Sequence, residues 1–181
     1  MLADEGLVTV ATDEDRKIYF LQAEDEADMM SWVKAIRNER KVGLIDFELY
    51  AEARISDTGN RRGNSGIYFR CAPHVDKKQE FPPGYEAQLD HGDRNNPTGS
   101  IYALKVKGAR ALGFATKDGE WVTMRIRAVG NHLRTWVNGK PAADCRDPEN
   151  RHKKGSILLQ MHHLTGKVEF REVRIRKIAK K

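Results

Sequence analysis

From Leu44 to Ile178 nearly every segment of this chain alternates apolar and polar residues, and Gly, Asn, Asp or Pro cuts each one short. Side chains on a strand point to opposite faces in turn, so this pattern builds strands with one buried face rather than helices. The successive runs are "LIDFELYAEARIS", "SGIYFRCA", "GYEAQLD", "GSIYALKV", "EWVTMRIRAVG", "HLRTWVNGKPAA", "GSILLQMHH" and "KVEFREVRIRKI". About eight short strands at this spacing, with almost no helix between them, predict a mainly β fold: an antiparallel two-sheet sandwich. Asn138-Gly139 in "VNGK" marks a type I′ hairpin, and Gly130-Asn131 marks another tight turn.

Residues 1–43 follow a different grammar. Residues 7–11 and 16–23 read as a hairpin around the acidic turn "TDED". Met29, Trp32, Val33 and Ile36 then recur at helical spacing, predicting one N-terminal amphipathic helix over 26–38. Charge divides the chain in the same way. Residues 1–31 hold nine acids against two bases, so the rest carries +13 within a chain whose net charge is +6. The bases of the body are scattered and no aromatic residues interleave with them, which reads as a solvated surface and gives no expectation of nucleic acid. No apolar run reaches the ~18 residues of a membrane span. The opening "MLADEGLVTVATDED" lacks the basic-then-apolar layout of a secretion signal, which makes a cytoplasmic location the default expectation. Cys71 and Cys145 are too few for a disulfide framework and are read as free thiols.

Alternation assigns faces. Ile67 and Phe69, Ala87 and Leu89, Leu159 and Met161 are expected in the core, together with Val122, Met124 and Ile126. If the three runs around 63–71, 84–90 and 156–163 are neighbours in one sheet, their opposite rows merge into one patch. It would hold Tyr68, Arg70, Glu86, Gln88, Asp90, Gln160 and His162. A solvated face with incidental ion pairs, Arg70 with Glu86 for instance, is one reading. The mixture of acid, amide, imidazole, guanidinium and phenol suits polyol recognition better. Sugar sites also need flat apolar platforms, for which Trp121, Trp136 and Tyr102 are available. Trp136 is taken as substrate-binding.

The segments "NSGIYFR", "GYEAQLDHGD", "TGSIYAL", "GEWVTMRIRAVGNHLRTWVNGKPAAD" and "LLQMHHLTGKVEFREVRIRKI" occur in an order that resembles the 3-keto-disaccharide hydrolase family, over residues 44–178. The resemblance implies a concanavalin-like jelly-roll sandwich that cleaves, by hydrolysis or β-elimination, the glycosidic bond of sugars oxidised at C3. On that reading Glu86 and His162 are the catalytic proton carriers. Asn64, Tyr68, Arg70, Gln88, Asp90, Gln160 and Trp136 bind the carbohydrate substrate. Some members need a divalent metal, for which His162, Glu86 and Asp90 are the candidate ligands. The alternatives are a non-catalytic carbohydrate-binding module and an inactive fusion of two partial domains. Three features depart from the family pattern: its first strands are missing, Glu172 replaces an Asn, and His163 stands at a frequent Gly. Alternation also keeps Glu169 and Arg171 out of the patch unless a bulge intervenes. Residues 16–38 resemble the last strand and helix of a pleckstrin-homology domain, without the loops that bind phosphoinositides. The expected organisation is therefore a partial pleckstrin-homology-like unit over 1–43 and a jelly-roll domain over 44–181. The N-terminal strands are expected to fill a sheet edge that would otherwise invite self-association.

Overall fold

The computed structural model describes residues 18–21, 34–36, 44–57, 63–72, 82–113, 116–160 and 166–178. Among them are ten strands and no helix. The strands are β1 (Ile18–Leu21), β2 (Lys34–Ile36), β3 (Phe47–Asp57), β4 (Asn64–Cys71), β5 (Tyr85–Asp90), β6 (Trp121–Val129), β7 (His132–Val137), β8 (Lys140–Arg146), β9 (Ser156–Leu159) and β10 (Gly166–Lys177). They form a six-stranded sheet in the order β1-β10-β3-β6-β7-β8 and a four-stranded sheet in the order β2-β9-β4-β5. Every pairing is antiparallel. This is the two-sheet sandwich that the alternation predicts.

The core lies between the sheets. Leu49, Ala51, Ala53 and Ile55 of β3 and Val122, Met124 and Ile126 of β6 meet Ile67, Phe69, Ala87, Leu89, Ile157 and Leu159 of the smaller sheet. Phe69 packs edge-on against Phe47 with ring centroids 6.0 Å apart, and lies 5.4 Å from the Tyr85 ring. Every residue expected in the core is buried, except Met161, which lies outside the described residues. The β7–β8 turn has the backbone that Asn-Gly implies, with φ of +49° at Asn138 and +77° at Gly139.

The outer face of the larger sheet is an ion-pair lattice. Arg54 clamps Glu169 through Nε at 2.6 Å and Nη2 at 2.8 Å, and Arg171 Nε reaches Glu52 at 2.5 Å. Arg171 and Arg54 lie 3.9 and 4.7 Å from the centre of the Trp121 ring. A register shift between Arg171 and Arg174 resets the alternation of β10. It leaves Glu169 on the outer face while Val173 returns to the core.

Two expectations change. Residues 34–36, placed in a helix by their spacing, form β2 and pair with β9; the rest of the expected helix lies outside the described residues. The run "GSIYALKV" is a turn-rich edge rather than a strand. Gly99 and Ala103 take φ of +94° and +53°, which breaks the ladder and leaves one bridge, Ile101 to Ala87. Of the N-terminal hairpin, β1 is described and lies at the edge of the larger sheet against β10, while residues 7–11 lie outside the described residues. Cys71 and Cys145 are both buried and free. No helix among the described residues is long and apolar enough to cross a membrane.

Candidate functional site

The three strands expected to pool their polar rows are adjacent, with β4 between β9 and β5. Cross-strand pairs share a face. Asn64 pairs with Asp90, Gly66 with Gln88, and Tyr68 with Glu86. On the other side Tyr68 pairs with Leu158, and the Gln160 amide donates to Gly66 O at 2.9 Å. The row is therefore one surface, but it is not solvated. Tyr68, Glu86, Gln88, Asp90 and Gln160 are each at most 5% exposed.

Burial governs the electrostatics. Loss of hydration pushes the Glu86 carboxyl up to about 8, opposed in part by a hydrogen bond from the Tyr68 phenol. The same burial, with Glu86 beside it, pushes Tyr68 far above the ordinary phenol range, so Tyr68 stays a donor. Gln160 Nε2 donates in turn to Tyr68 Oη at 3.4 Å. An amide–phenol–carboxyl chain thus crosses from β9 through β4 to β5. Two acceptors on the same face, Gln160 Oε1 and Asn64 Oδ1, are buried without a hydrogen-bond partner among the described residues. Such oxygens favour a ligand rich in hydroxyl donors.

Gly66 makes the arrangement sterically feasible. A Cβ there would lie 2.2 Å from Glu86 Oε1, so the glutamate side chain occupies the space a larger residue would fill. The sequence carried this signal, since Gly inside a strand marks a close approach. Cys71 was not foreseen in this region. It packs with Tyr68 and Leu158, apart from the main core. Burial pushes its thiol well above the ordinary range, which leaves it an inert wall.

Several expected members stand elsewhere. Arg70 is not in the patch. The β4–β9 register shifts between Tyr68 and Cys71, and Arg70 takes a left-handed φ of +53° that rotates it out of alternation. Its guanidinium donates to Ile45 O at 2.9 Å, Gly130 O at 2.6 Å and His152 O at 3.2 Å, and meets Asp46 Oδ1 at 3.3 Å. Arg70 ties three loops together and does not reach Glu86. Asp90 shares the face, but its Oδ1 accepts from the amides of Gly92 and Asp93 at 2.7 and 2.9 Å, which closes a turn. Trp136 is on the larger sheet, flanked by Arg125 and Arg134 at 4.6 and 5.3 Å from its ring centre. It is two layers away from the polar row. His162 lies outside the described residues.

The described residues do not assemble a metal centre. No three His, Cys, Asp or Glu side chains among them converge. Of the candidate ligands, Asp90 is committed to its turn and Glu86 has no second carboxylate on its face within its own cross-strand pair.

Solved structures share this architecture. A candidate glycosyl hydrolase of Parabacteroides distasonis superposes with a TM-score of 0.60 at 20% identity, over 76% of this chain and 74% of that chain. Carbohydrate-binding module CBM66 of Bacillus subtilis gives 0.53 at 18% identity, over 76% and 78%. A PL7 alginate lyase of Zobellia galactanivorans gives 0.55 at 11% identity, over 97% and 82%. At such identities the likeness establishes the fold alone, a jelly-roll sandwich. No curated protein matches the chain in sequence. A profile of the 3-keto-alpha-glucoside-1,2-lyase-like domain matches residues 31–176, and the chain belongs to that family.

Proposed function

We propose, from that membership and from the buried polar face, that the protein cleaves the glycosidic bond of 3-keto-glycosides, with Glu86 as the base. The observation that carries this reading is Glu86 itself. It is a carboxyl pushed up to about 8 in a desolvated site, hydrogen-bonded to Tyr68, on a face that also holds unpartnered acceptors.

The chemistry needs such a group. A carbonyl at C3 acidifies the proton on C2. Ionised Glu86 takes that proton, and the electron pair of the C2–H bond moves into the C3 carbonyl as an enolate. When the carbonyl re-forms, the pair becomes the C1=C2 double bond, the C1–O bond breaks, and the aglycone leaves as an alcohol after gaining a proton. Addition of water across C1=C2 makes the net reaction a hydrolysis. Tyr68 holds the Glu86 carboxylate by its phenol proton while Gln160 orients the phenol. His162 is our candidate acid for the leaving oxygen. With a value of about 8, roughly one Glu86 in ten is ionised at pH 7, so turnover should rise toward pH 8.

A binding module is the second reading, favoured by Gln160 Oε1 and Asn64 Oδ1, which hydroxyl donors satisfy without any proton transfer. The deciding experiment is turnover of p-nitrophenyl 3-keto-α-glucoside, with and without added divalent cation. Glu86→Gln should lower kcat by about 10²-fold or more while the fold is retained. A wild-type protein that binds this glycoside but releases no p-nitrophenol is a binding module.

A further inference from the structure

Tyr68, Glu86, Gln88, Asp90 and Gln160 are almost fully buried, yet an aglycone must point somewhere. Tyr102 lies beside this row. Its backbone amide donates to Glu86 O at 2.9 Å, and the bridge Ala87–Ile101 fixes the register beside it. Ile101 is buried in the core next to Ala87, and Tyr102 follows it at the first position of the turn, with its backbone held against Glu86. The phenols of Tyr102 and Tyr68 are within electrostatic reach of each other. Ala103 then turns the chain away at φ +53°. Tyr102 is 41% exposed and is the one aromatic among the exposed large apolar side chains of the described residues.

We infer that Tyr102 is the aglycone platform of this site, an aromatic surface on which the ring of the leaving group rests while C2 of the keto sugar meets Glu86. The inference rests on the reaction proposed above for its substrate class. The physical case is independent of proton transfer. A pyranose offers a flat C–H face that needs an apolar partner, and an aromatic ring at the rim of a polar, desolvated surface supplies one. A ring that carries the leaving group contributes to binding and not to bond breaking. Tyr102 should therefore set which aglycones are accepted: a second sugar or an aryl ring over a methyl group.

The test uses three probes: methyl 3-keto-α-glucoside, p-nitrophenyl 3-keto-α-glucoside and 3-keto-trehalose. Binding is measured by calorimetry in a Glu86→Gln background, where turnover does not intrude, and kcat and KM are measured in the otherwise native chain. Tyr102→Ala should weaken the two ring-bearing probes by about 10-fold and the methyl glycoside by less than about twofold. KM should rise with kcat nearly unchanged, and Tyr102→Phe should behave as wild type. Equal weakening of all three probes, or none, overturns the inference, as does failure of the Glu86→Gln protein to bind any of them. If Tyr102→Ala does not fold, Tyr102→Leu, which keeps bulk without a flat ring, must show the same selectivity. A wild-type chain that binds ring aglycones through Tyr102 but cleaves none sinks the reaction and leaves the platform standing.

Discussion

Gly66→Ala separates the site from the fold in one substitution. Gly66 lies inside β4 opposite Gln88, outside the left-handed region, so its backbone accepts alanine. The added Cβ would meet Glu86 Oε1 at 2.2 Å, Cγ at 2.8 Å and Cδ at 2.9 Å. Reaching ordinary contact requires the carboxyl to retreat by about 1 Å. A side-chain end can do this, at an overpacking cost of ~1–3 kcal/mol. Replacing a strand glycine returns ~0.5–1 kcal/mol of backbone entropy. The net loss is about 2.5 kcal/mol at most, a fall of roughly 5–10 °C in Tm for a chain of this size. Catalysis is less tolerant, since a displacement of about 1 Å costs on the order of 10²-fold. Gly155→Ala is the control. Its Cβ would meet backbone, Cys71 O at 2.2 Å and the Arg70 carbonyl carbon at 2.4 Å, so it should lower Tm more. The measurements are kcat/KM on p-nitrophenyl 3-keto-α-glucoside and thermal melting by circular dichroism. Native kcat/KM in Gly66→Ala would remove Glu86 from the chemistry.

Arg70→Ala leaves the Ile45, Gly130 and His152 carbonyls and the Asp46 carboxylate without their shared donor. The loss should be about 3–5 kcal/mol, and Arg70→Lys should not restore it because the fork is gone; melting within about 2 °C of wild type would refute the pin. Glu86 makes stability pH-dependent. Its folded value of about 8 lies above the ordinary carboxylate value near 4.5. The folded state thus holds a proton the unfolded chain releases, and stability present below pH 4.5 declines as pH rises through 8. Denaturant melts from pH 4 to 9 should show Glu86→Gln gaining on wild type across that window, and a constant difference would contradict the desolvated carboxyl.

The sandwich was legible because alternation is a local consequence of the strand backbone. β6 shows it in full: Val122, Met124, Ile126 and Ala128 are buried while Thr123, Arg125 and Arg127 face outward. The hairpin at Asn138-Gly139 was legible for the same reason, since the turn demands positive φ where that dipeptide tolerates it. Residues 34–36 were not, because Val33 and Ile36 satisfy a helical stripe as well as a strand, and the pairing with β9 is a long-range choice. Ala103 is likewise silent, an alanine with a left-handed φ inside an otherwise strand-like run.

The site fell between these cases. The parity of Tyr68, Glu86, Gln88 and Gln160 was correct, because it depends only on local alternation. Arg70 failed because one bulge reverses parity and nothing in "FRCA" announces it. Trp136 failed differently: it does face outward on its strand, but which sheet holds that strand is a property of topology. What alternation alone could not tell is whether an outward row is wet. Composition distinguishes the two. The outer row of β6 and its neighbours is Arg and Glu in paired lattices, as at Arg125–Glu48 and Arg54–Glu169. The row on β4 and β5 holds Asn, Gly, Tyr, Glu, Gln and Asp with no lysine and no partnering arginine. A carboxyl without a cation, taken out of water, costs stability and contributes none. Glu86 is therefore in a position that folding alone would not select, and its hold on its proton is the property that the proposed cleavage of a 3-keto sugar would use.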